Sequence, residues 1–533
     1  MLFNFKAKDV TTNHVGAKAF KMTPQMALYS AVATSTLSDS YYEKAGEHLT
    51  RLQTLIGQND PEFVAKLAVY AREQMYMRSV PLVLAIELAK NSTGNNLVSR
   101  TLTRTIQRAD ELTEALAFYQ VSNERTSGAK KLNRLSKQVQ KGLAGAFNKF
   151  DEYQFAKYNR KDTTVKLRDA LFLVHPKAID GNKQAIFDKI ATNTLATPYT
   201  WEVELSVLGQ QKFEDSNQRA KAFAAKWEDL VMSNKLGYMA ILRNLRNILT
   251  DGSDVAFEVA LEVIGDKHKV LNSKQLPFRF LSAYGEIEKL KAVENNAENG
   301  RANQAKVLLA KITKALQAIE KAVIYSVDNL PNIGGKTLIL SDNSGSMRGD
   351  AGGASLVSAM SKRTTADIAN LFAALYHAKA SDTMIGLFGD RLVMPKIDAQ
   401  STVFDTFKVL NEAAQTCGPS TETGIFVMLE RLIKEKIMVD RIVIFSDCQI
   451  GTGCNWYDTN NRRANDFDAL FQKYKAINPQ VMTYSVNLKG YDTTVFNENV
   501  MNVSGWSDKI FTMIAALEKG SSIVEEIMKI ELN

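Results

Sequence analysis

The hydrophobic pattern of this chain changes period once, at Pro331-Asn332-Ile333-Gly334-Gly335, and that change divides what can fold on either side of it. From about Thr23 to Val327, apolar residues recur at i, i+3, i+4 and i+7, as in Pro61 through Ala71, which lines one face of an α-helix. Alanine, leucine and lysine dominate this stretch, and β-branched runs are rare. Pro61, Pro81, Pro176, Pro198 and Pro277 fall near helix starts or between helices, where a missing N–H costs little. No fixed sequence period is present. Consecutive helix pairs over so long a span predict an α-solenoid of irregular repeats, with an ordinary multi-helix bundle as the alternative that pattern alone leaves open.

Beyond the break, Lys336 to Leu340 is a short apolar run suited to a buried strand. A helix is expected from Thr365 to Lys379, then a strand pair at Met384–Phe388 and Leu392–Met394 turning at Gly389-Asp390. Helix is expected again at about Thr423–Glu435, strand at Arg441–Phe445, helix at about Ala464–Lys475, strand at Val481–Val486 and helix at Ser507–Leu517. Strands alternating with helices predict a mostly parallel, doubly wound sheet covered on both faces. A length of 533 residues exceeds one hydrophobic core, so the expected division is residues 1–330, all-α, and residues 331–533, α/β.

Charge follows the same division. Residues 1–330 hold 46 Lys and Arg against 35 Asp and Glu, whereas residues 331–533 hold 20 against 23. A polyanion would therefore meet the helical part. The three cysteines, Cys417, Cys448 and Cys454, are too few for a disulfide framework and point to a reducing compartment, here the cytoplasm. No segment reaches the roughly 18 consecutive apolar residues of a membrane span, and the first residues lack a signal-peptide pattern.

Directly after the first expected strand of the α/β part comes Ser341-Asp342-Asn343-Ser344-Gly345-Ser346-Met347. Asp342, Ser344 and Ser346 are hard oxygen donors, suited to Mg²⁺ first, with Mn²⁺ or Ca²⁺ as alternatives, and poor for zinc. Gly345 lets the loop turn tightly. The strand Arg441–Phe445 runs into Ser446-Asp447, placing a second carboxylate at the same sheet edge. Thr421, ahead of the following helix, adds a hydroxyl, and Thr423 is its rival. Ligands in such sheets bind at the carboxyl ends of the strands. The set Asp342, Ser344, Ser346, Thr421 and Asp447 resembles the metal-ion-dependent adhesion site of von Willebrand factor A domains. One departure is Pro419-Ser420, where related proteins carry Gly-Gly. Such a site leaves an octahedral position for water or a partner's carboxylate.

Residues 125–168 carry 12 basic residues against Asp151, Glu152 and Asp162. Lys130, Lys131, Arg134 and Lys137 form its first half, and Lys157, Arg160 and Lys161 its second. Such side chains bind phosphates in a salt-dependent, largely sequence-independent way. Tyr153 and Tyr158 could stack on unpaired bases. The plain alternative is a solvated amphipathic face. His175, in Leu173-Val174-His175-Pro176, reads by composition as a core or capping residue.

The whole chain resembles the Ro ribonucleoprotein family, in its bacterial form, whose shared helical part is the TROVE module. The resemblance is carried by Thr12-Asn13-His14-Val15-Gly16, by Asp60-Pro61-Glu62-Phe63 through Arg78-Ser79-Val80-Pro81, by Lys157 through His175-Pro176-Lys177, and by Met239-Ala240-Ile241-Leu242-Arg243-Asn244-Leu245. It implies a ring of HEAT-like helical repeats closed by the A-type domain, in a monomer. It implies that single-stranded ends of misfolded RNA enter the central hole and that small noncoding Y-like RNA binds the outer basic surface. It also implies that an exoribonuclease associates. By matching position, Lys157, Lys161 and His175 would contact RNA, with Arg160 as the alternative to Lys161, while Arg243 and Asn244 read as packing residues.

No P-loop, Gly-x-Ser-x-Gly or His-Glu-x-x-His is present, and the five histidines are scattered, so no catalytic residue is assigned and the chain is expected not to be an enzyme. The expected function is an RNA-binding scaffold in RNA quality control or processing. The competing expectation is a metal-dependent protein-interaction adaptor with no physiological RNA.

Overall fold

The protein is described by a computed structural model covering residues 9–35, 43–92, 94–123, 135–160, 162–294, 302–328, 333–349, 355–357, 363–398, 400–452, 466–498, 500–506 and 509–532. Helices fill the first part, from Pro24–Ala33 to the long Ala302–Ser326, with sequence neighbours packed in pairs. Local chemistry sets where they begin. Asp60 accepts N–H bonds from Glu62 (2.8 Å) and Phe63 (3.3 Å), and Pro61 supplies the first helical position of Pro61–Glu73. Asp180, Thr200, Asp215 and Ser253 cap later helices in the same way.

Nine strands carry the rest, labelled β1 (Val10–Thr12), β2 (Lys18–Lys21), β3 (Ile333–Asp342), β4 (Ala380–Phe388), β5 (Leu392–Val393), β6 (Arg441–Ser446), β7 (Met482–Asn487), β8 (Thr493–Thr494) and β9 (Met501–Ser504), among the described residues. Six of them form one mixed sheet in the order β5-β4-β3-β6-β7-β9, parallel except for the β4–β5 hairpin. The molecule is thus mostly helical, with a single large sheet in its second part. Leu338, Leu340, Ile442 and Ile444 pack on one face of the sheet under helices Thr423–Lys434 and Phe467–Ile477. Ile339, Val443 and Phe445 face the other way, toward Thr365–Lys379, and that side is continuous with the core of the helical part.

The expected strands and helices of the second part are present, within a few residues at their ends. The expectation has no counterpart for β1, β2 and β8, which form a three-stranded sheet, for β9, the sixth strand of the large sheet, or for helices Gly345–Arg348, Val403–Ala414 and Ile523–Met528. The β1–β2 hairpin lies at the start of the chain but pairs with β8 near its end.

The α/β part touches both ends of the helical run. Tyr29 donates to the Ser504 carbonyl (2.9 Å), and helix Ile523–Met528 lies on Pro61–Glu73. At the other end, the Tyr284 and Phe404 rings meet at 4.4 Å, and Lys408 donates to Glu288 (2.6 Å). Cys417 and Cys448 are buried and unpaired. No helix among the described residues is long and apolar enough to cross a membrane.

One buried ion pair joins three early helices. Arg72 donates to both oxygens of Glu111 (2.8 and 3.1 Å) and to the Thr105 carbonyl (2.9 Å), while Glu111 also accepts the Gln107 and Arg108 N–H groups. Glu111 is fully buried. Removing Arg72 leaves the buried Glu111 with only the longer Arg78 contact (3.4 Å) as a cationic partner, so Arg72→Met is expected to lower unfolding stability by about 3 kcal/mol. Urea denaturation reads this directly, and a change below about 1 kcal/mol, the size of an exposed pair, would contradict it.

Candidate metal centre and nucleic-acid interface

β3 and β6 are neighbours at the centre of the sheet, and the chain leaves them in opposite directions along it. Their carboxyl ends therefore open one crevice; β3 ends in Asp342 and Asp447 directly follows β6. Asp342 accepts the Ser344 N–H (2.9 Å) on one oxygen and the Ser446 hydroxyl (2.7 Å) on the other. The Ser344 and Ser346 hydroxyls lie 3.3 Å apart. Asp447 accepts the Gln449 N–H (2.9 Å) on Oδ1, while its Oδ2 is buried with no hydrogen-bond partner.

The threonine loop is brought to the serine loop by the Gly345 N–H donating to the Pro419 carbonyl (2.9 Å). A Cβ at 345 would sit 2.7 Å from that oxygen, so glycine is needed for the approach. Helix Thr423–Lys434 begins after Thr421, which therefore lies in the loop ahead of it. The Thr421 hydroxyl donates to Asp390 (2.8 Å) and lies 2.9 Å from the Thr423 hydroxyl, so the structure brings both threonines to the same place. All five sequence-predicted donors thus lie on three loops converging at one edge of the sheet.

Below them, a buried amide network fixes the serine loop. Asn370 accepts from Ser341 (2.7 Å) and donates to Asn343 (3.0 Å) and Asn411 (2.6 Å). Burial raises the Asp342 pKa, with the Asp447 charge as the next cause, and burial also raises that of Asp447. Glu422 is pushed well up by burial and then by the charges of Asp342 and Asp447. Lys489, beside Asp447, is lowered to about 8 by burial. Paired buried carboxylates, hydroxyl donors and a carboxylate oxygen without a partner fit a hard divalent cation. Asp390, Asn370 and Glu422 escaped the sequence reading, because their proximity to the site arises only in the fold.

The basic residues are more dispersed. Lys130, Lys131, Arg134 and Lys161 lie outside the described residues. Lys137 is exposed at the start of helix Lys137–Phe147. Lys157 is exposed, its ammonium 5.7 Å from the rings of both Tyr153 and Tyr158. Tyr158 is covered by the Arg108 guanidinium at 4.3 Å, leaving Tyr153 the more exposed ring. Arg160 pairs with Asp162 (2.9 Å) on the surface. His175 is an exposed C-cap with φ 49°, so it is not a core residue. Asn244 is buried and bonded to Ala240, whereas Arg243 is exposed.

Fold proximity adds residues from an earlier helix. Arg100, Arg104, Lys141, Lys149 and Lys177 line a cavity of about 730 Å³, and no acidic side chain lines it. Helices Leu97–Thr105 and Lys137–Phe147 meet beneath it at Gly142, where a Cβ would lie 2.7 Å from Leu102 Cβ. Gln140 donates to the Val174 carbonyl (3.2 Å) and Asn148 to the Lys177 carbonyl (2.9 Å), so the His175 loop forms its rim. Among the described residues, no carboxylate forms an ion pair with Arg100, Lys141, Lys149 or Lys177.

The TROVE domain family model matches residues 17–221 and 193–331. Telomerase protein component 1 of Mus musculus is 24% identical over 351 residues, 50% of this chain and 13% of that protein. The Rattus norvegicus protein of the same description is 23% identical over 350 residues, 51% of this chain and 13% of its own length. This chain therefore spans only a small part of those relatives. The crystal structure of Deinococcus radiodurans Ro (RSR) protein shares the fold, with a TM-score of 0.54 at 14% identity over 93% of this chain and 100% of that one. With the family model running from β2 and its preceding turn to the end of the last helix of the helical part, more than half of its length, the chain belongs to the TROVE domain family.

Proposed function

We propose that this protein is an RNA-binding scaffold, and the acid-free basic cavity rimmed by the His175 loop is the observation that carries this reading. Five cations from two helices, the turn after the second and the His175 loop form a concave surface that fits phosphate oxygens better than a scattered solvated face does. The helical run, held at both ends by the α/β part, is read as a ring of HEAT-like repeats closed by a von Willebrand factor A-like domain. On this reading small noncoding, Y-like RNA lies on the outer basic surface, and single-stranded ends of misfolded RNA enter the hole. The protein acts as a cytoplasmic monomer in RNA quality control or processing, with an exoribonuclease as partner, and itself performs no catalysis. Family membership supports the RNA assignment.

Asp342, Ser344, Ser346, Thr421 and Asp447 are read as the donors of a divalent cation, Mg²⁺ before Mn²⁺ or Ca²⁺. The cation would supply positive charge that gathers three loops and can accept a further oxygen donor. That crevice favours a second reading, a metal-dependent adaptor for an acidic protein partner without a physiological RNA. RNA recovered by crosslinking from the native protein separates the two.

Reversing two exposed cations, Lys141→Glu with Lys177→Glu, is expected to weaken binding to a structured RNA with a single-stranded tail at least tenfold. It should also flatten the log–log salt dependence by roughly one unit per lost phosphate contact. Unchanged affinity across several salt concentrations would remove this surface from the reading. For the crevice, Mg²⁺ is expected to raise the melting temperature of the native chain but not that of Asp342→Ala. Burial raises both carboxyl pKa values, so protons compete with the cation at higher pH than they would at ordinary aspartates. Its apparent affinity should therefore climb with pH through the range where these carboxyls ionise, and a pH-independent affinity measured by calorimetry would argue against those ligands.

A further inference from the structure

Helix Ile523–Met528 docks on Pro61–Glu73, and the residues that follow it run without regular structure along the edge of the basic cavity. Lys66 donates to the Met528 carbonyl at 2.9 Å. Beyond that point, Arg104 donates to the Glu531 carbonyl and Arg100 to the Leu532 carbonyl (3.2 Å). Both guanidinium groups line the basic cavity. Glu531 and Leu532 line a neighbouring cavity of about 830 Å³, and the two cavities share Asn96 and Arg100. Arg104 also pairs with Glu73 (2.6 Å); that bond is the first cause of its raised pKa, and the Glu531 charge adds to it. Arg100 forms no ion pair with a carboxylate among the described residues, and the Leu532 carbonyl is what it holds. The segment is gripped unevenly. Ile523 and Ile527 are fully buried, whereas Ile530 and Leu532 are only partly buried and Lys529 and Glu531 are exposed. Release can therefore stop at Met528 and leave the helix docked.

We propose that residues 529–532 are a built-in competitor for the nucleic-acid backbone: they occupy Arg100 and Arg104 in the free protein and give them up to phosphates. This rests on the RNA reading above. A carbonyl is a neutral acceptor, and a phosphate oxygen makes the shorter, stronger, charge-assisted bond to a guanidinium. Exchange at each arginine therefore favours the phosphate. Tethering gives the segment a high local concentration, against which a ligand must compete. A polyanion that touches only Lys141, Lys149 and Lys177 leaves the segment in place. One that extends past Arg100 toward the neighbouring cavity displaces it, so the segment discriminates against short or weakly charged ligands.

The test is binding of a fluorescein-labelled single-stranded oligouridylate, read by fluorescence anisotropy, to the full chain and to two variants. Removing residues 530–533 takes the competitor away. Ile530→Ser with Leu532→Ser loosens its apolar anchors with no change of charge. Both variants are expected to bind at least about threefold more tightly than the native chain, the scale of one net hydrogen bond. Arg100→Ala is expected to weaken binding less in the native chain than in either variant, because only there does that arginine start out engaged. Should the serine variant fail to fold, the shortened chain with and without Arg100→Ala carries the test. If the native chain binds no RNA, the RNA reading falls and the competitor with it. If the native chain binds but the folded serine variant gains less than about threefold, any gain on shortening reflects the lost Glu531 charge, and the competitor role is overturned while the RNA reading stands. The same holds if Arg100→Ala costs as much in the native chain as in the variants.

Discussion

Backbone pairing of Phe20 with Thr494 and of Lys21 with Thr493 ties the start of the chain to its last fifth, and much of the architecture depends on that tie. Lys18 adds an ion pair to Asp466 (2.5 Å), and Asn13 donates to the buried Ile450 carbonyl (2.8 Å). With the beginning of the helical run fixed to the α/β part here, and its end fixed through Tyr284, Glu288 and Glu320 against helix Val403–Ala414, the intervening helices have both termini anchored. The same tie reaches the crevice. The His14 N–H donates to the Gln449 side chain (2.8 Å), and the Gln449 N–H donates to Asp447 (2.9 Å). Anchoring of the first residues and placement of a proposed metal ligand are therefore joined through one glutamine.

Sequence pattern was informative wherever the physics is local. The 3.6-residue period marks the helical part, the apolar runs at 336–340 and 441–445 mark central strands, and the Asp-x-Ser-x-Ser spacing puts three donors on one loop whatever surrounds it. Thr365–Lys379 is legible to the residue because Thr364 caps it, with Asp367 closing the capping box. β1, β2 and β8 were not legible, since strands of two to four residues show too little alternation and the β2–β8 pairing that completes their sheet joins residues hundreds of positions apart. β9, Met501–Ser504, is buried along its whole length, so it offers no alternation either.

The candidate sites divide along the same line. Asp342, Ser344 and Ser346 were legible as a motif, whereas Asp390 behind Thr421 and Glu422 against Gly451 are meetings of separate loops. On the basic side, counting charges along the chain pointed at residues 125–168, but the cavity draws Arg100 and Arg104 from an earlier helix and Lys177 from beyond that segment. A linear count cannot see that helices Leu97–Thr105 and Lys137–Phe147 lie side by side. His175, unremarkable by composition, is set apart by its left-handed backbone and its exposure.

That side-by-side contact has an entropic consequence. At Gly142 the two helices touch backbone to side chain, and at Gly145 a Cβ would lie 2.9 Å from the Thr103 hydroxyl, so neither helix can slide or rock without collision. Lys149 is further held by its bonds to the Thr103 and Ile106 carbonyls, and Lys141 by Asn96 (3.3 Å). The cationic rows on either side of the contact are thus a prearranged template. A polyanion settling between them would surrender its own freedom but demand little ordering from the protein, which favours tight binding by a surface of modest charge.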